Sequence, residues 1–144
     1  MPELGDLYQQ LIIDHNRNPR NFRCPDRFNY QAEGDNPLCG DRIHLFLQVD
    51  DGRITEVGFQ GSGCAISQAS ASLMTQAVQG KSTQDAEALF RAFHAMVTGG
   101  SAAPGKLAAF AGVGAFPARV KCANLPWHTL RAALTGAKEP VTTE

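Results

Sequence analysis

Ile43-His44-Leu45-Phe46-Leu47-Gln48-Val49-Asp50-Asp51-Gly52-Arg53-Ile54-Thr55-Glu56-Val57-Gly58-Phe59-Gln60 is the stretch whose reading decides the fold. Ile43, Leu45, Leu47 and Val49 alternate with His44, Gln48 and Asp50, which predicts a strand with one buried face, although Phe46 breaks the polar set on the other. Asp51-Gly52 is a tight-turn dipeptide. Beyond it Val57 and Phe59 alternate with Glu56, Gly58 and Gln60, so the stretch reads as an antiparallel hairpin. Upstream, Phe28 to Glu33 supplies a third strand.

Helical patterns lie on both sides of this sheet. Leu4, Leu7, Tyr8, Leu11 and Ile12 share one face of an amphipathic helix over residues 3–16. Pro19 then disfavours helix at Asn18, and Asn16 to Asp26 reads as an irregular surface connection. After Gly61 and Gly63, the residues Ile66, Ala69, Leu73 and Ala77 recur at helical spacing, with Gly80 as the stop. Ser82 and Asp85 resemble a capping box, followed by the apolar face Ala86, Leu89, Phe90, Phe93 and Val97. Residues 99–118 are rich in Gly and Pro and suggest only a short helical piece near Pro104 to Ala111. A last helix is expected from about Asn124 to Thr135, with Pro126 in its first turn and Trp127, Leu130 and Leu134 on one face. The tail from Ala137 to Glu144 is expected to fray. Strands early and helices late, without internal repeats, predict one α+β domain over residues 1–144: a small antiparallel sheet of about three strands with helices packed on it.

Composition narrows the function. The chain has 144 residues, 43% hydrophobic and 19% charged, enough to bury its own core. Its 13 Lys plus Arg against 14 Asp plus Glu leave a net charge of −1, which offers no global attraction to nucleic acid or to an anionic membrane. No apolar run approaches the roughly 20 residues that span a bilayer. The opening MPELGDLYQQ is acidic and amphipathic, unlike a signal peptide, so a soluble cytoplasmic protein is expected.

Four cysteines carry the chemistry. A chain this long without a secretion signal does not need disulfide staples, so free thiols, catalysis or metal are the better readings. Cys39 lies in Asn36-Pro37-Leu38-Cys39-Gly40-Asp41, a turn at the mouth of the hairpin, and its i, i+2 spacing to Asp41 sets thiol and carboxylate on one side of an extended segment. Cys64 follows Gly61-Ser62-Gly63 and opens a helix, where free amides and the dipole favour thiolate. Cys122 is expected at the start of the last helix after Arg119 and Lys121, where dipole and cations would acidify it too. Three thiolates and one carboxylate make a reasonable tetrahedral zinc set. Separations of 25 and 58 residues between the thiols match no zinc-finger spacing, and on spacing alone three unrelated, partly buried cysteines are as good a reading. Three low-pKa contexts in one small chain weigh toward a shared site.

The stretches Asp14-His15-Asn16-Arg17-Asn18-Pro19-Arg20-Asn21, Asn36-Pro37-Leu38-Cys39-Gly40-Asp41, Gly61-Ser62-Gly63-Cys64-Ala65-Ile66-Ser67 and Arg119-Val120-Lys121-Cys122-Ala123-Asn124-Leu125-Pro126-Trp127 occur in order and span most of the chain. Together they resemble the signatures of the IscU/SufU family of iron–sulfur cluster assembly proteins, akin to the NifU N-terminal domain. The resemblance implies that Cys39, Asp41, Cys64 and Cys122 form the metal or cluster site. Within the family the chain resembles the SufU type. Lys121 stands where IscU-type scaffolds carry His. Phe116-Pro117-Ala118-Arg119-Val120-Lys121 departs from the LPPVK motif that IscU offers its Hsp70 chaperone, and the interval from Cys64 to Cys122 holds extra material around Gly99 to Gly114. SufU-like proteins hold zinc, take persulfide sulfur from the cysteine desulfurase SufS and relay it toward the SufBCD scaffold. The resemblance therefore implies at most a sulfurtransferase working with a desulfurase that holds the pyridoxal phosphate, with Cys39 as sulfur acceptor. Arg119 resembles the family's basic residue beside the site, able to hold an anionic persulfide or Asp41.

Two alternatives stand beside this reading: an IscU-like scaffold building a [2Fe–2S] cluster on the same ligands, and a structural zinc or interaction module in which no sulfur moves. Cys24, next to Pro25, has no ligand partner in view and reads as an incidental thiol. His44 and His94 fall in a strand and a helix without a paired ligand, whereas His15 and His128 are expected to position loops near the site rather than bind metal. Trp127 reads as core or docking surface.

Overall fold

The Asp51-Gly52 turn forms as its residues dictate: both have positive φ, 52° and 74°, the backbone of a two-residue hairpin turn matched to strand twist. It joins β2 (Asp41–Asp50) to β3 (Arg53–Ser62), antiparallel, with one register shift at Gln48/Val49. The computed structural model describes residues 4–136 and 140–142, residues 4–8 by backbone alone. The third strand, β1 (Tyr30–Asn36), pairs antiparallel with β2, Asn36 standing opposite Asp41. It runs three residues further than the sequence pattern predicts.

The sheet has four strands rather than three. Val141–Thr142 form β4, which pairs parallel with β1 at Gly34 and Asp35, giving the order β3-β2-β1-β4. This part of the tail, expected to fray, gains ladder hydrogen bonds and half-buries Val141 against the core. Residues 137–139 and 143–144 lie outside the described residues.

Helices cover one face of the sheet. Cys64 and Ser82 cap α2 (Ala65–Val78) and α3 (Thr83–Val97), Ser82 accepting from the Asp85 amide as the box predicts. A 3₁₀ helix (Gly105–Ala115) follows, then α4 (Pro117–Thr135). Helices α2 and α4 lie on the sheet, α4 over β1 and β2 and α2 against β3, while α1 (Leu4–Arg17) and α3 pack outside them. Of the apolar face expected on α1, Leu11 and Ile12 pack against the core, whereas the side chains of Leu4, Leu7 and Tyr8 lie outside the described residues. Trp127 is core: it stacks on Phe93 at 5.0 Å, and Phe93 meets Phe110 of the 3₁₀ helix at 5.5 Å.

Phe46, the break in the outward polar set, has a physical reason. The connection after α1 folds over the outer face of the sheet, and Phe46 is buried between Phe28 and His44, at 4.9 and 4.2 Å. A side chain at Gly58 would strike the Arg23 carbonyl.

The last helix starts seven residues before the expected Asn124. Pro117 occupies its first turn, where a missing N–H costs nothing, and Pro126 sits inside the helix. Cys122 is therefore an interior residue of α4, not one at its N-terminus.

Candidate metal centre

The four residues named from sequence converge where the β1–β2 hairpin meets α2 and α4. Pro37 to Gly40 form the hairpin loop: the Cys39 amide donates to the Asn36 carbonyl at 3.2 Å, and Gly40 takes φ 71° to turn the chain into β2. Cys39 is left exposed at the tip. Its Sγ, an Asp41 carboxylate oxygen and the Cys122 Sγ all lie within 4.8 Å of one another. Cys64 completes the group, with Sγ 3.9 Å from Asp41 Oδ2.

Each side chain is held by its element. Asp41, the first residue of β2, is fully buried, and its Oδ1 accepts the Cys64 amide at 2.8 Å. A Cβ at Gly63 would come within 2.6 Å of the same Oδ1, so glycine is needed for the chain to pass. The Cys64 thiol caps α2, accepting the Ser67 amide at 3.4 Å. Cys122 is 1% exposed, and Ser70 ties α2 to α4 beside it by donating to the Ala123 carbonyl at 2.6 Å. Pro126 has no N–H to give the Cys122 carbonyl four residues back.

The electrostatics correct one expectation. Cys122 was expected to be acidified by a helix N-terminus, yet burial pushes its thiol well up, reinforced by contacts with Asp41, Cys39 and Cys64. Asp41 has donors but no ion pair among the described residues. A buried carboxylate beside three thiols, with no cationic partner among the described residues, is an expensive arrangement for the protein alone. It fits a divalent cation: three sulfurs and one oxygen are a donor set for zinc or for an iron–sulfur centre.

Arg119 does not hold Asp41. It lies one turn before Cys122, exposed, with no partner for its guanidinium among the described residues. There it lines a groove of about 510 Å³ with Ile12, Ile13, Ile66, Val113 and Phe116. Cys24 is exposed in the loop over the outer face, outside the cluster. The histidines are elsewhere too. Buried His15, near the end of α1, meets Ser72 Oγ at 2.7 Å, and Ser72 also receives the Arg20 amide, so Ser72 in the far half of α2 holds both α1 and the connecting loop. His128 packs on α3 against Phe90 and His94, with ring centroids 5.2 and 5.6 Å away, rather than toward the site.

Asn36 was missed by sequence reasoning. Fully buried, it sends Nδ2 toward Asp41 Oδ2 at 3.4 Å and Cys122 Sγ at 3.6 Å. Ending the third strand at Glu33 hid that Asn36 is paired with Asp41.

A four-strand α+β domain that gathers three cysteines and a buried aspartate at one sheet end defines a class of small metal or cluster proteins. Residues 7–136 match the NifU-like N terminal domain, and the chain belongs to that family. It is 41% identical over 140 residues to the zinc-dependent sulfurtransferase SufU of Bacillus subtilis, covering 94% of this chain and 93% of that protein. It is 38% identical over 138 residues to the iron–sulfur cluster assembly scaffold protein IscU of Streptococcus pyogenes, covering 93% and 86%. A crystal structure from Fervidobacterium islandicum AW-1, described as a candidate iron–sulfur cluster assembly scaffold for the SUF system, superposes with TM-score 0.84 at 33% identity, over 92% of this chain and 99% of that one.

Proposed function

We propose that the chain is a zinc-dependent sulfur acceptor and carrier in iron–sulfur cluster assembly. Cys39 takes persulfide sulfur from a SufS-like cysteine desulfurase, and Asp41, Cys64 and Cys122 are the ligands that stay. The carrying observation is the asymmetry of the thiols: Cys39 stands exposed beside Leu38, 71% exposed, whereas Cys122 is 1% exposed and Asp41 fully buried. The likeness to the Bacillus protein, named for zinc-dependent sulfur transfer, supports the same reading.

Zinc held by Cys39, Asp41, Cys64 and Cys122 would supply the charge that keeps thiolates deprotonated at neutral pH. The Cys39 thiolate attacks the outer sulfur of the desulfurase persulfide. That S–S bond breaks, the enzyme cysteine leaves as thiolate, and Cys39 carries the persulfide with no oxidant or reductant consumed. Arg119, which lines the groove with Ile66 and has no salt-bridge partner among the described residues, supplies the cation for the anionic persulfide. Downstream delivery goes to a SufBCD-type scaffold, in the cytoplasm.

A second reading has its own support, since the Streptococcus relative is named a scaffold: the same ligands would hold a [2Fe–2S] cluster. Lys121 in place of histidine weighs against it. Anaerobic elemental analysis separates the two: about one zinc per chain without iron supports the carrier, and iron with matching sulfide supports the scaffold. Incubation with desulfurase and ³⁵S-cysteine is the direct test. Label that vanishes in Cys39→Ala is expected; no label overturns sulfur carriage, and label persisting at Cys122 overturns the choice of acceptor.

A further inference from the structure

Asn36 connects two of the proposed ligands and none of the exposed surface. The hairpin register sets it opposite Asp41, and α4 brings Cys122 to it from 86 residues away. Its Nδ2 lies 3.4 Å from Asp41 Oδ2 and 3.6 Å from Cys122 Sγ, while its Oδ1 is buried with no hydrogen-bond partner among the described residues. The amide has two N–H donors, one for each ligand, and the reverse orientation would aim a carbonyl at a carboxylate and a thiolate. Asn36 makes no such contact with Cys39.

We propose that Asn36 is the positioning residue of this metal centre, anchoring Cys122 and Asp41 and thereby making Cys39 the exchangeable thiolate. An N–H donated to a metal-bound thiolate draws charge from sulfur, fixes its direction and lowers its reactivity toward electrophiles. Two ligands are restrained in this way from inside the protein. Cys39, on a four-residue loop turned by Gly40, receives no such donor from Asn36 and keeps its freedom to leave. The inference rests on the ligand set proposed above.

The test uses the full chain in a Cys24→Ala background, loaded with Co²⁺ for spectroscopy and with Zn²⁺ for labelling, comparing Asn36 with Asn36→Leu. Leucine keeps the volume and removes both donors. The expected result has three parts. Chelator competition shows metal affinity lowered by about 10–100-fold, the usual effect of losing a ligand's supporting hydrogen bond. The sulfur-to-cobalt charge-transfer band moves to longer wavelength. Iodoacetamide labelling, mapped by peptide mass spectrometry, shifts from Cys39 toward Cys122 by about tenfold, the equivalent of one charge-assisted hydrogen bond.

Unchanged affinity and band overturn the proposal, as does lower affinity with the band unmoved, which would mark a packing role. A shifted band with labelling still confined to Cys39 overturns the selection of Cys39 by Asn36. If the protein with Asn36 intact lacks a three-thiolate cobalt spectrum, the ligand set itself fails, a distinct outcome. Should Asn36→Leu lose its cooperative melt, Asn36→Ala, which removes both donors without adding bulk or a group that could bind metal, is read by the same three measurements.

Discussion

Asp41 concentrates the chemistry of the site: a buried carboxylate that accepts the Cys64 amide and touches Asn36, with three thiols around it. Asp41→Ala is expected to weaken zinc binding by at least the 10–100-fold typical of supporting residues, measured by chelator competition. Gly63→Ala should weaken it too, because the new Cβ would meet Asp41 Oδ1 at 2.6 Å, while Cys24→Ala should leave affinity unchanged. Equal affinity in all three would remove Asp41 from the ligands. Titration gives a second residue-scale prediction. Burial holds His15 and His128 below the ordinary imidazole value of 6.5, so below that pH the unfolded chain takes up more protons than the folded one. Their contribution is complete above about 6.5 and is lost as pH falls toward the lowered folded values. Denaturant unfolding of the zinc-loaded protein from pH 7.5 to 5.5 should show a steeper decline for the natural sequence than for His15→Gln or His128→Gln; equal slopes would contradict the assignment.

Helix α4 lies tightly against β1 at Gly34. A Cβ at Gly34 would collide with Thr129 Oγ1 and come within 3.0 Å of Leu125 Cδ1, so glycine lets the helix settle on the strand that carries Asn36. Gly34→Ala should cost about 1–3 kcal/mol, and adding Thr129→Ala should recover part of it in a double-mutant cycle. Strict additivity would argue against the contact. The misplaced start of α4 belongs to this scale as well. Pro126 reads as a first-turn proline, yet Pro117 takes that role and the helix tolerates Pro126 within its buried span. That shift of seven residues moved Cys122 from the start of the helix to a buried interior position and reversed the expected direction of its pKa.

Over the whole molecule, the proposed ligands join the β1–β2 hairpin to the cap of α2 and the second turn of α4, so metal should stabilise the fold rather than decorate it. Removing it with a chelator should lower the melting temperature, and returning zinc at a thousand times Kd should restore about 4 kcal/mol. Calorimetry showing the same transition in both states would refute this. The hairpin, the Ser82 cap, the apolar faces of α2 and α3 and the three cysteine stretches were legible in the chain, because turn chemistry, capping and period are local properties. The NPLCGD, GSGCAIS and RVKCANLPW stretches also carried the family. Strand β4 was not legible, since two residues have no periodicity and pair only because β1 offers an edge. Nor was the role of Asn36. The amino-acid sequence by itself determined the hairpin, the long helices and the cysteine and aspartate types available to the site. Only the tertiary structure decided which thiol is exposed, which is buried and what holds it, because those depend on α4 crossing β1, an approach between residues 86 positions apart that no local pattern encodes.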